Sequence, residues 1–154
     1  VTVADRLREL GLSLPAAPPP KGAYFPSRRC GDQLWVSGAT ARRAGVPALR
    51  GVVGDDVTVE TAGEQAALAA LNLLGAIEAA VGLDAVSAVV QLRGYVRAVA
   101  DFDAHPAVID GASRVLIDVF GADVGAHART AIGVASLPGG ACVELDVVVS
   151  VAQA

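Results

Sequence analysis

From Thr58 to Val81 the apolar positions Leu68, Leu71, Leu74, Ile77 and Val81 recur at the spacing of one helical face. Thr58 or Thr61 is placed to cap this helix, and Gly82 to stop it. The period then falls to two. Within AVSAVVQLRGYVRAV, residues 85–99, the residues Val86, Ala88, Val90, Leu92 and Val96 fall on one face, and Ser87, Val89, Gln91, Arg93, Tyr95 and Arg97 on the other. A second helix opens at Asp103 or His105 with Pro106, carries the stripe Val108, Ile109, Ala112, Val115, Leu116, Val119 and Phe120, and closes at Gly121. Two strands are expected after it, at 129–136 and 142–151. In the last of them Val143, Leu145, Val147, Val149 and Val151 face one way, and Glu144, Asp146, Val148 and Ser150 the other.

The first third of the chain is less periodic. VTVADRLREL reads as a short amphipathic helix, and LPAAPPPKGAY as an extended proline-rich arm that reaches the first strand near Tyr24. DQLWVSGA reads as a strand ending at Gly38, and RRAGVPALRGVVGDD, residues 42–56, as a glycine-rich excursion with room for a short hairpin.

Two helices can cover only one face of such a sheet, so residues 1–154 are expected to form a single two-layer α+β domain, with residues 1–23 as its N-terminal helix and arm. The other face, with Val89, Tyr95 and Val148 beside charged residues, is too apolar for water and too polar for a core. A neighbouring copy of the chain is its expected cover.

Charge and composition narrow the chemistry. The chain is 53% hydrophobic and 18% charged, with a net charge of −4. That balance, with Lys21 the one lysine and with few aromatic residues, opposes a surface that tracks nucleic-acid phosphates. Arg28-Arg29 and Arg42-Arg43 are the only basic pairs, and they read as solvated loop ends. The charge-free apolar stretch between Glu64 and Glu78 is too short to span a bilayer. The first residues lack the pattern of a secretory signal, so the cytoplasm is expected. Cys30 and Cys142 are far apart and read as free, partly buried thiols; with His105 and His127 equally scattered, neither a metal nor a cofactor is expected.

One feature of the apolar chain calls for a reason: Arg129, at the mouth of the strand in AHARTAIGV. The residue alone leaves two readings, a strand-end arginine paired with an acidic neighbour, or a fork of N–H donors for a carboxylate. Its surroundings add to the second. The order strand, helix, strand, helix, strand, strand, with GAYFP, LWVSGA, HARTAIGV, LPGG and CVELDVVV, resembles the Rid/YjgF family, once labelled L-PSP endoribonucleases. Arg129-Thr130, Leu137-Pro138 and Val143-Glu144, in that order, are the most specific part of the likeness.

The resemblance implies a Bacillus chorismate-mutase-like fold, in which the last strand inserts antiparallel between the first and second, and a homotrimer with three clefts between subunits. A bare reading of LPGG would instead pair the last two strands as a hairpin. The resemblance further implies that Arg129 holds the carboxylate of a small 2-imino or enamine acid and that Glu144 directs water for its hydrolysis, without metal or cofactor. Tyr24, Ser37, Gly38 and Thr130 match binding positions of the family. Ser113 or Asp110 stands where an asparagine is usual, and Ala131 where many deaminases carry cysteine. His127, two residues before Arg129, is a further acid or base candidate. Imine deamination is thus the leading expectation, non-catalytic capture of a small carboxylate its rival, and ribonuclease activity the reading the charge opposes.

Overall fold

A computed structural model describes residues 1–17, 19 and 22–153 of the chain. Pro18, Pro20 and Lys21 of the expected arm lie outside them. Helix α1 (Val3–Glu9) opens on a reciprocal cap, in which the Thr2 hydroxyl accepts from the Asp5 N–H and the Asp5 carboxylate accepts from the Thr2 N–H. The chain then runs without regular structure to β1 (Ser27–Cys30), so the first strand starts beyond Tyr24. β1 turns directly into β2 (Gln33–Ala39) as an antiparallel hairpin. In the excursion, Arg43 and Val46 exchange two backbone hydrogen bonds of 3.0 and 2.8 Å, the short hairpin the glycine-rich segment had room for.

Helix α2 (Val59–Val81) is capped by Thr58, whose hydroxyl accepts from the Thr61 N–H, and ends at Gly82. After one 3₁₀ turn come β3 (Val86–Arg97), α3 (His105–Phe120), the short α4 (Ala122–Gly125), β4 (Ala128–Val134) and β5 (Val143–Val151). Helix α3 opens at His105 with Pro106, one of the two starts the sequence offers, and Ala104 precedes it without a side-chain cap. The LPGG segment is a 3₁₀ turn and does not pair the last two strands, because β3 lies between them.

The sheet order is β1-β2-β5-β3-β4, with β5 antiparallel to both neighbours and β3 parallel to β4. The last strand therefore sits at the centre, between the two that precede α2 and α3. Leu34, Leu92, Val96, Leu145, Val147 and Val149 form the sheet's buried face, under Ala66, Leu73, Leu74 and Ile77 of α2 and Ile109, Ala112 and Leu116 of α3. Burying one such leucine or isoleucine contributes roughly 1.5–3 kcal/mol. The helices touch closely: a Cβ added at Gly111 of α3 would run into the backbone carbonyl of Gly63 in α2, so only glycine fits there. Among the described residues α2 alone has the length and hydropathy to cross a bilayer, yet half of its most apolar window is buried in this core.

The strict alternation expected for β3 is broken. The pairing with β5 shifts register between Val86 and Ala88 and again between Val89 and Gln91, so Val89 turns into the core while Val90 is exposed. The open face consequently carries Trp35, Tyr95 and Ile132, but not Val89. Val148, at the centre of the sheet, is buried on it. Cys142 is buried as expected, whereas Cys30 is exposed at the tip of β1.

Candidate functional site

Glu144 lies on the open face of β5, opposite Tyr95, and is half-buried. It borders a cavity of about 250 Å³ that is also lined by Tyr24, Ser37, Gly38, Arg42, Asn72 and Pro138. Two features of β2 explain how the carboxyl group reaches it. The Ser37 hydroxyl donates to the Phe25 carbonyl at 2.7 Å and its N–H donates to Pro26 at 2.9 Å, which ties β2 to the segment before β1. Gly38 leaves room beside it: an added Cβ would stand 3.2 Å from the Glu144 carboxyl carbon and 3.4 Å from one of its oxygens.

Burial pushes the Glu144 carboxyl above the usual glutamate range, and the Asp146 charge on the same face adds to this. Asp146 is itself engaged, accepting from Arg93 Nε at 2.7 Å and from the Tyr95 hydroxyl at 3.0 Å. The Glu144 side chain makes no hydrogen bond among the described residues and so faces the cavity as an uncommitted acid or base.

The cavity also gathers residues that periodicity and motifs passed over. Asn72, on the buried side of α2, is only 6% exposed, and its amide donates 2.7 Å bonds to the carbonyls of both Thr40 and Arg42. It thereby fastens the start of the excursion and sets Arg42, read from sequence as a solvated loop end, beside the cavity that contains Glu144. An asparagine inside an apolar helical stripe was the available signal, since a buried amide must find partners. Ala17 and Pro19 of the arm also line the cavity, together with Tyr24.

Arg129 is elsewhere. It pairs in register with Leu92, so its side chain points to the helix-covered face, whereas Glu144 pairs with Tyr95 on the open one. β3 also separates their strands. Arg129 Nη1 donates to Asp110 Oδ1 at 2.7 Å and to Ser113 Oγ at 3.1 Å, both on α3. The acidic neighbour of the simpler reading is thus present, although Nε and Nη2 make no close hydrogen bond among the described residues beyond a 3.5 Å approach of Nη2 to the Pro106 carbonyl. Thr130, opposite Arg93, is exposed on the other side of the sheet. One chain therefore brings Tyr24, Ser37, Gly38 and Glu144 to one place, Arg129 and Ser113 to a second, and Thr130 to neither. Among the described residues no cluster of histidine, cysteine and carboxylate side chains could hold a metal ion.

A central antiparallel β5, a parallel β3–β4 pair and two helices on one face define a protein of the chorismate-mutase-like α+β class. Residues 4–148 match the family described as "YjgF/chorismate_mutase-like, putative endoribonuclease", and the chain belongs to that family. Protein TCP17 of Trypanosoma cruzi is 42% identical over 149 residues, covering 96% of this chain and 92% of that protein. The structure of Atu1372 from Agrobacterium tumefaciens superposes with a TM-score of 0.90 at 39% identity, over 97% of this chain and 92% of the other. A Shewanella oneidensis structure that carries the family's endoribonuclease label reaches a TM-score of 0.94 at 28% identity, over 98% and 100% of the two chains.

Proposed function

We propose that the protein hydrolyses small 2-imino carboxylates to 2-keto acids and ammonia, in clefts of a homotrimer where Glu144 of one copy meets Arg129 of the next. The observation that carries this reading is Glu144, a half-buried carboxyl at a cavity of ligand size, without a hydrogen-bond partner among the described residues and raised toward the range of a working base. The need for a second copy follows from the opposite faces on which the two residues stand. Support for the assembly comes from the open face, where Trp35 and Ile132 remain 47% and 45% exposed.

In this mechanism the Nε and Nη2 groups of Arg129 grip the substrate carboxylate and hold the imine carbon over Glu144. The Glu144 carboxylate takes a proton from water as the water oxygen bonds to that carbon. The electron pair of the C=N bond moves to nitrogen, which takes from Glu144 the proton the carboxylate received from water. The resulting tetrahedral adduct gives its hydroxyl proton to Glu144, which passes it to the nitrogen, so that C=O forms, C–N breaks and ammonia leaves. Atoms balance as imino acid plus water giving keto acid plus ammonia. Ribonuclease activity is the weaker reading, since a net charge of −4 gives little hold on a phosphate backbone.

The test couples the protein to an amino-acid oxidase or lyase that releases imino acids and follows keto-acid formation. Acceleration over the spontaneous rate is expected. No acceleration with any of several side-chain sizes, together with measurable binding of the keto acids, would leave a carboxylate-binding protein instead.

A further inference from the structure

Behind Arg129 runs a chain of hydrogen bonds that the proposed reaction does not itself use. His127 Nδ1 lies 2.6 Å from the Gly125 carbonyl oxygen. A carbonyl can only accept, so the ring proton sits on Nδ1, and in the neutral imidazole Nε2 carries a lone pair. That nitrogen is 3.0 Å from Ser113 Oγ, and the serine hydrogen is therefore directed to it. With its hydrogen so engaged, Ser113 Oγ presents lone pairs to Arg129, whose Nη1 donates to it at 3.1 Å. The other Nη1 hydrogen goes to Asp110 Oδ1 at 2.7 Å.

The two contacts have different consequences. The Asp110 side chain is 45% exposed, and an ion pair in that setting holds a guanidinium weakly and leaves it free to swivel about one contact. The serine bond restricts that freedom, because the two Nη1 hydrogens, held in the guanidinium plane, then meet acceptors in two separate places, and this orients the plane. The edge with remaining capacity is the one formed by Nε and Nη2, which presents two nearly parallel N–H bonds to a carboxylate.

We propose that Ser113 and His127 are positioning residues for Arg129: His127 orients the Ser113 hydroxyl, the hydroxyl locks Nη1, and the Nε–Nη2 edge is thereby turned to the ligand carboxylate. Ser113 then acts through Arg129 and does not itself touch the ligand. This rests on the reading of Arg129 as the carboxylate anchor.

The experiment measures 2-oxobutanoate binding by calorimetry and imine hydrolysis by coupled assay, for the intact protein and for Ser113→Ala, Ser113→Thr, His127→Asn and Arg129→Lys. His127→Asn keeps a donor for the Gly125 carbonyl and removes the acceptor for Ser113. Ser113→Ala and His127→Asn are expected to weaken binding and raise KM roughly three- to tenfold, the range one net hydrogen bond is worth, with kcat little changed. Ser113→Thr, which keeps the hydroxyl, should restore most of the loss. Nitrogen-15 spectra of the unmodified protein at about pH 8, where an ordinary histidine is neutral, should show the His127 proton on Nδ1 and a hydrogen-bonded Nε2. A proton on Nε2 overturns the proposal even if no variant folds. So do wild-type affinities in both Ser113→Ala and His127→Asn while Arg129→Lys binds weakly. Wild-type binding by Arg129→Lys would instead remove the anchor reading itself.

Discussion

Replacing Gly38 with alanine should separate the cavity's chemistry from the stability of the fold. The added Cβ would sit 3.2 Å from the Glu144 carboxyl carbon and 3.4 Å from an oxygen, a few tenths of an ångström inside comfortable contact. Its neighbour is the end of a side chain and not backbone, so the strain can be relieved by swinging the carboxylate away. Gly38 is not among the residues with positive φ, so alanine is conformationally acceptable there and removes about 0.4–1 kcal/mol of unfolded-state entropy. The cost of swinging the carboxylate away and this gain nearly cancel, leaving a net change within about 1 kcal/mol and a melting-temperature shift of no more than about 2–4 °C for a chain of this size. Displacing the carboxylate proposed as the base is a different matter. A shift on the order of half an ångström exceeds the tolerance of a working site, and the expected loss in kcat/KM is about tenfold or more. Differential scanning calorimetry and the coupled keto-acid assay on the same preparation make the comparison. Full activity would refute the placement of the Glu144 carboxyl against Gly38 as functionally relevant. A melting temperature lowered by about 8 °C or more would show that the neighbour cannot yield and refute the strain argument.

Glu144→Gln should lower kcat by about 10²- to 10⁴-fold, as expected for loss of a general base, and an activity above a tenth of wild type would contradict that role. Because folding raises the Glu144 pKa, the native state binds the proton more tightly than the unfolded chain does, so wild-type stability falls as pH rises from the ordinary glutamate value through the raised one. Glu144→Gln should lack that step, and denaturant titrations that lose stability equally over this window in both proteins would exclude the linkage. Arg129→Lys should weaken 2-oxobutanoate binding about tenfold while costing no more than roughly 1 kcal/mol of stability, since its bond to Asp110 is partly exposed. A large stability loss with unchanged binding would make it a strand cap. Light scattering should give the mass of three chains at micromolar concentration, and a monomer that still hydrolyses imines would remove the shared cleft.

Much of this protein is local and was legible as such. The stripes of α2 and α3, the alternation of β5 and the caps at Thr58, Gly82 and Gly121 follow from residues within a few positions of one another, which is why boundaries read from the pattern fall within a residue or two of the observed ones. The motifs around Arg129, Leu137-Pro138 and Glu144 placed the chain in its family for the same reason: they are short and ordered along the sequence.

What the tertiary structure alone decided concerns pairs of residues far apart in the chain. A bulge at Val89–Gln91 reverses which valine faces the core, because sheet faces depend on the register of a partner strand and not on the alternation of one strand. Asn72 interrupts an apolar stripe, and only the approach of the Thr40 and Arg42 carbonyls shows why it is tolerated there. Arg129 and Glu144 read as one catalytic pair along the sequence. Register against β3 puts them on opposite faces of the sheet, and no local pattern could have revealed this, because it depends on which strands the folded chain places side by side.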